Sequence, residues 1–287
     1  MDLTKIKGRV FSLGVDGSMG RIVAGMVLDD PELDLVGGTT VPGGPAVGTD
    51  VGTLLGRGPL GVEVRPADEL ERVLDRAKPD VVVDFTVAAA TEQAAPVVTS
   101  RGIKYVVGTT GLSDRCLGTI SENVKKTGSS AVVSSNMAPG VNVVFHVAGL
   151  LAKALEGWDV EIVEAHHHRK RDAPSGTALT IAARVCEALG VDLDEVAKYG
   201  RARGPAPRKV GSSEVGIHAV RAGDIVGDHT VIFAGPGERV ELVHRAHGRQ
   251  CFGAGTIRAI HFLLEKAEPG KVYDAAAALG LETSSGE

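Results

Sequence analysis

"RVFSLGVDGSMG", Arg9 to Gly20, decides the fold. Arg9 to Leu13 is a short apolar, β-branched run that stops at Gly14, and Met19 to Leu28 reads as a helix. Gly14, Gly17 and Gly20 therefore form a G-x-x-G-x-x-G turn between a strand and a helix N-terminus. Glycines at such a turn let a pyrophosphate reach the backbone, and the helix dipole favours its charge. The plain alternative is a glycine-rich turn in an α/β protein that binds no nucleotide.

Outward from this turn, strand and helix signals alternate. Leu33 to Val36 reads as a strand and Gly37 to Pro59 as a long loop. Ala67 to Ala77 has helical spacing. Val81 to Val83 is a continuous apolar run, as in a strand buried on both faces. A helix at 88–101, a strand at 105–107, a helix at 114–126 and a strand at 131–133 follow. The alternation predicts a doubly wound parallel sheet. "VVGTTG" (Val106 to Gly111) and "SSNMAPGVN" (Ser134 to Asn142) follow later strands, where open α/β sheets bind ligands. After about residue 140 the pattern changes to a helix at 141–155, a strand at 160–164 and a helix at 177–189. Strand-like runs at 215–220, 230–233 and 239–244 predict a mixed or antiparallel sheet in a second domain. A last helix is expected at 256–266.

The chain has 287 residues and a net charge of -5, with a pI near 6.0. That argues against a nucleic-acid partner, which needs a basic surface. No apolar run reaches the roughly 18 residues of a membrane span, and the apolar stretch near Met1 is too short for a signal peptide. Cys116, Cys186 and Cys251 are widely spaced and odd in number, which suits reduced thiols in a cytoplasmic protein.

"EAHHHRKRDAPSGTA", Glu164 to Ala178, concentrates titratable chemistry. A metal site, a solvated basic loop and an active site for an acidic substrate are all open. His166, His167 and His168 are consecutive, so on a strand end they point to opposite faces, which disfavours one shared metal. As an active site the stretch has a mechanism. Histidine exchanges protons near neutral pH, and Lys170 can donate one or polarise a developing anion. Ser175, Gly176 and Thr177 would offer backbone N–H groups to a carboxylate at a helix start. Asp172 could cap that turn or orient Lys170.

The same stretch closely resembles the signature E-x-H-H-x-x-K-x-D-x-P-S-G-T-A of the dihydrodipicolinate reductases. "DVVVDFT" (80–86), "VVGTTG", "GVNVV" (140–144), "RAGDIVGDHTVIF" (221–233) and "GERVELVHRA" (237–246) resemble that family in order. The resemblance implies a Rossmann-type dinucleotide-binding domain, 1–139 with 248–287, and an α+β substrate-binding and tetramerisation domain with a mixed sheet, 140–247. It implies reduction of 4-hydroxy-tetrahydrodipicolinate, a small dicarboxylate, to tetrahydrodipicolinate by NADH or NADPH, in the diaminopimelate route to lysine, and a homotetramer. By motif position His166 would be the acid/base residue and Lys170 the proton donor. His167, Gly176 and Thr177 would bind substrate. Gly14, Val15, Asp16, Gly17, Ser18 and Met19 would line the cofactor, with Thr40, Gly108, Thr109, Thr110, Ser135, Asn136, Met137 and Ala138. The chain departs from the family pattern at Ser18, at Asn136-Met137-Ala138 and at Arg169. Thr40 and Val41 stand where the family carries acidic or basic cofactor selectors, so the residues leave NADH and NADPH both open. The rivals are a reductase of another carboxylated cyclic imine and a catalytically silent binding protein.

Overall fold

The structure, a computed structural model, describes residues 8–281. The ends of the expected first domain, 1–7 and 282–287, lie outside the described residues, as does the start of the segment read against a signal peptide. The chain divides into two compact units, with crossings at 139/140 and 251/252.

The first unit contains β1 (Gly8–Leu13), α1 (Ser18–Asp29), β2 (Leu33–Thr40), α2 (Val51–Leu54), β3 (Val64–Pro66) and α3 (Leu70–Ala77). It continues through β4 (Val81–Asp84), α4 (Ala88–Ser100), β5 (Lys104–Val107), α5 (Asp114–Thr127) and β6 (Ser130–Val133). The second unit contains α6 (Pro139–Ala154), β7 (Asp159–His166), α7 (Gly176–Leu189), α8 (Leu193–Val196) and β8 (Ala197–Tyr199), then β9 (Val215–Arg221), β10 (Gly227–Gly235) and β11 (Glu238–Ala246). The chain returns to the first unit through α9 (Gln250–Glu265) and β12 (Lys271–Tyr273).

Seven strands of the first unit form one parallel sheet in the order β12-β6-β5-β4-β1-β2-β3. Strand alternation feeds two cores. Val81 and Val83 pack with Val23, Val27 and Ile260 of α1 and α9, while Val82 packs with Leu74, Val98 and Ile120 of α3, α4 and α5. The strand order reverses between β1 and β4, and ligands of doubly wound sheets bind at the carboxyl ends beside such a switch.

Several expectations are corrected, the 37–59 loop first, since it also contains α2. β2 continues to Thr40 and is not a loop after Val36. Gly37 and Gly38 look like loop residues in sequence, but here they make room inside the sheet. A Cβ on Gly37 would collide with the Phe11 ring, and one on Gly38 would lie 2.8 Å from the Val15 side chain. The reading at 67–77 also splits, because Ala67–Glu69 forms a 3-10 turn before α3.

The second unit is a mixed sheet, β11-β10-β7-β9-β8. β10 runs antiparallel to both β11 and β7, whereas β7, β9 and β8 are parallel. Val160, Ile162, Val231 and Phe233 face Val144 and Ala148 of α6 and Ile181 and Val185 of α7. The opposite face presents Val163, Val220, Ile232 and Val243, with Val220 43% and Val243 44% exposed.

Candidate active site

β7 runs two residues further than its sequence signal and ends on His166. Its alternation therefore sets Glu164 and His166 side by side on the helix-covered face. Register places Arg221 of β9 beside His166 and His229 of β10 beside Glu164.

Glu164 is fully buried and accepts four hydrogen bonds. Its Oε2 receives His166 Nδ1 at 2.6 Å and Arg221 Nη1 at 2.8 Å. Its Oε1 receives Arg221 Nη2 at 2.8 Å and the Ser175 backbone N–H at 3.0 Å. Burial alone would raise this carboxyl; the bonds from Arg221, His166 and Ser175 outweigh it and hold Glu164 below the usual carboxylate range. A carboxylate only accepts, so His166 carries a proton on Nδ1, and Nε2 is the ring nitrogen not bonded to Glu164. Gly227 keeps that nitrogen uncrowded, since a Cβ there would stand 3.1 Å from it.

Lys170 pairs with Asp172 at 2.9 Å, so Asp172 orients the lysine. That bond lowers the Asp172 carboxyl. Ser175, and not Asp172, caps α7, its Oγ accepting from Ala178 N at 3.1 Å. The Ser175 hydroxyl also shares a hydrogen bond with His229 Nε2, 3.1 Å away. Burial, followed by the neighbouring His166, lowers His229 to about 4, so it is neutral at physiological pH. Arg221 also donates to the Asp172 carbonyl at 2.6 Å, tying the lysine-bearing loop to Glu164. Gly176 opens the first turn of α7, and a Cβ on it would meet nothing within 4 Å. Thr177 lies beside it in that turn.

The three histidines part company. His166 turns to Glu164, and His168 Nδ1 donates to the Gly223 carbonyl at 2.7 Å. His167 lies between them. Desolvation, then the nearby Arg169 and Lys170 charges, depress its pKa. Sequence reasoning named His166, Lys170 and the Ser-Gly-Thr turn but missed Glu164, Arg221 and His229 as parts of one cluster. The available signal was the i, i+2 spacing of Glu164 and His166, hidden by ending the strand at Glu164.

The first unit holds a cavity of about 610 Å³ at the carboxyl ends of β1, β2 and β4. Gly14, Asp16 and Gly17 line it, with Thr40 and, unforeseen, Asp68, Glu71 and Thr86. Gly14 has φ +61°, and a Cβ on Gly20 would collide with the Gly14 carbonyl, so turn and helix close as tightly as a pyrophosphate cradle requires. No side chain caps α1 at Gly17. Thr40 is 2% exposed and its Oγ1 has no partner, an orphan hydroxyl at the end of β2. These features fit a bound dinucleotide.

Other expected cofactor residues lie outside the lining. Val15 is buried against Gly38, and Met19 packs on the core. Ser18 opens α1, after Gly17. Thr109, between Gly108 and Thr110, bonds Thr91 at 2.9 Å and Asp84 at 3.3 Å. Met137 and Ala138 are buried, leaving backbone rather than side chains to meet a ligand. Ser135 and Asn136 precede them in the segment after β6.

Residues 9–137 match the model of the dihydrodipicolinate reductase N-terminus and residues 140–279 that of its C-terminus. The chain belongs to the dihydrodipicolinate reductase family. It is 47% identical to the 4-hydroxy-tetrahydrodipicolinate reductase of Methanothermobacter thermautotrophicus, over 95% of this chain and 99% of that one. It is 42% identical to the enzyme of that name from Myxococcus xanthus, over 96% and 99%. A dihydrodipicolinate reductase from Paenisporosarcina sp. TG-14, solved with dipicolinate bound, superposes with a TM-score of 0.75 at 25% identity, over 94% and 98% of the two chains. A dihydrodipicolinate reductase is an oxidoreductase, and both family halves are present here.

Proposed function

We propose that this chain reduces 4-hydroxy-tetrahydrodipicolinate to tetrahydrodipicolinate with NADH or NADPH, in the diaminopimelate route to lysine. The buried Glu164–His166 pair beside Lys170 and the Ser175–Thr177 turn carries the reading. The nicotinamide supplies the hydride that ring carbon C4 receives. Departure of the ring hydroxyl as water needs a proton, and so does the ring that has accepted a hydride. Lys170 is the proton donor and His166, through Nε2, the acid/base group. His167 and the first-turn N–H groups of Gly176 and Thr177 hold the substrate carboxylates, as a helix start does. Dipicolinate, bound by the Paenisporosarcina relative, is a planar ring with two such carboxylates.

Gly14 to Met19 would hold the pyrophosphate, and Gly108–Thr110 and Ser135–Ala138 would hold the nicotinamide end. Residues 140–247 serve as the substrate-binding and tetramerisation domain, with the apolar face around Val220 and Val243 as the contact between subunits. The cytoplasm and a homotetramer complete this reading; the three cysteines are free thiols, and no described helix is long and apolar enough to cross a membrane.

The test is oxidation of NADH and of NADPH with substrate made in situ by condensing pyruvate with aspartate semialdehyde. Rapid oxidation that depends on the condensation product supports the reading. No oxidation by folded protein refutes it, and a panel of carboxylated cyclic imines would then be the substrate search.

A further inference from the structure

We infer that the chain discriminates against NADPH and takes NADH, because acidic side chains and no cation line the ribose end of its dinucleotide cavity. The inference rests on the dinucleotide reading above and narrows it.

In a doubly wound fold the end of β2 meets the adenosine ribose, and the residues there decide whether a 2′-hydroxyl or a 2′-phosphate is welcome. Here that end is Thr40, followed by Val41 and Pro42, all three in the cavity lining. None carries a positive charge. Register sets Thr40 beside Pro66 of β3, so the chain leaving β3 runs alongside Val41 and Pro42. Two residues on, Asp68 enters the lining, and Glu71 follows on α3. Asp16, in the glycine turn, is the third carboxylate of the lining, and among the described residues no Lys or Arg lines the cavity.

Several cations on the neighbouring elements are engaged elsewhere, Arg72 with Glu69 among them. Arg65 bonds Glu63 and Glu69. Arg101 bonds Glu71 and Asp75, which offsets part of the Glu71 charge. Arg21 is taken up by the carbonyls of Asp16 and Leu54. Among the described residues Asp68 has no such ion pair. A 2′-phosphate brings nearly two further negative charges into this setting with no bidentate partner to meet it. A 2′-hydroxyl brings none, and the unpartnered Thr40 hydroxyl lies at the same strand end.

The experiment is calorimetric titration of the ligand-free protein with NADH and, separately, NADPH at low salt. NADH is expected to bind at least about tenfold more tightly. Raising the salt screens the carboxylates and narrows the ratio. Asp68→Asn narrows it several-fold by strengthening NADPH binding. Equal affinities, or tighter NADPH, overturn the inference, as does a ratio that neither salt nor Asp68→Asn moves. Failure of both nucleotides to bind would instead remove the dinucleotide reading beneath it.

Discussion

Replacing Glu164 by glutamine changes one oxygen into an amide nitrogen, and the structure says which one. Oε1 serves two donors that cannot change role, the Ser175 backbone N–H and Arg221 Nη2. Oε2 serves Arg221 Nη1 and His166 Nδ1, and only the imidazole can switch from donor to acceptor. The glutamine oxygen therefore keeps the Ser175 side, and its NH2 group faces His166. The ring answers by moving its proton to Nε2, the nitrogen that should be exchanging protons with the substrate. Turnover should fall about 10²-fold or more, the usual loss when a general acid or base is in the wrong state, with KM changed only a few-fold. Stability should fall by roughly 3 kcal/mol, the low end for breaking a buried ion pair, since Arg221 keeps the Asp172 carbonyl. Long-range ¹H–¹⁵N spectra of histidine-labelled, ligand-free protein read the tautomer directly. An Nδ1–H tautomer in the unaltered protein and Nε2–H in Glu164→Gln is the expected pair of results. An Nε2–H tautomer in the unaltered protein refutes the reasoning, and so does a variant that turns over within a few-fold of the parent.

Lys170→Ala should lower kcat by about 10²–10⁴-fold while dinucleotide affinity, measured by titration, stays within a few-fold. Gly20→Ala forces a Cβ into the Gly14 carbonyl; dinucleotide binding should weaken more than tenfold and the melting temperature should drop. His229 has a pKa lowered from 6.5 to about 4 by burial. The unfolded chain therefore binds this proton more readily than the folded one between those values. The stability due to a neutral His229 is complete above about pH 6.5 and is lost as pH falls toward 4, by roughly 3 kcal/mol. Urea midpoints measured across that range should fall less steeply in His229→Asn than in the parent.

Much of the fold was legible because period-two and period-3.6 patterns survive burial. Val81 to Val83 could only be a strand covered on both sides, and it feeds both cores of the first unit. The second half of β2 was not legible, since Gly37 and Gly38 suit a loop equally well until Phe11 and Val15 are known to need their space. The catalytic stretch announced its own chemistry through residue types. Its supports did not, because Arg221 lies 57 positions and His229 65 positions from Glu164, and only strand register joins them. Asp68 was silent for the same reason: it joins the cavity through the pairing of Thr40 with Pro66.

The sheet of the first unit ends on β12, which pairs with β6, and one of its cores includes Ile260 and Leu263 of α9. Every element of the second unit's sheet and both of its core helices are encoded before residue 251. A ribosome thus synthesises every strand of the second unit before the helix and strand that finish the first. The strands encoded before residue 134 must wait for α9 and β12, so the second unit can mature during synthesis while the sheet of the first is still incomplete.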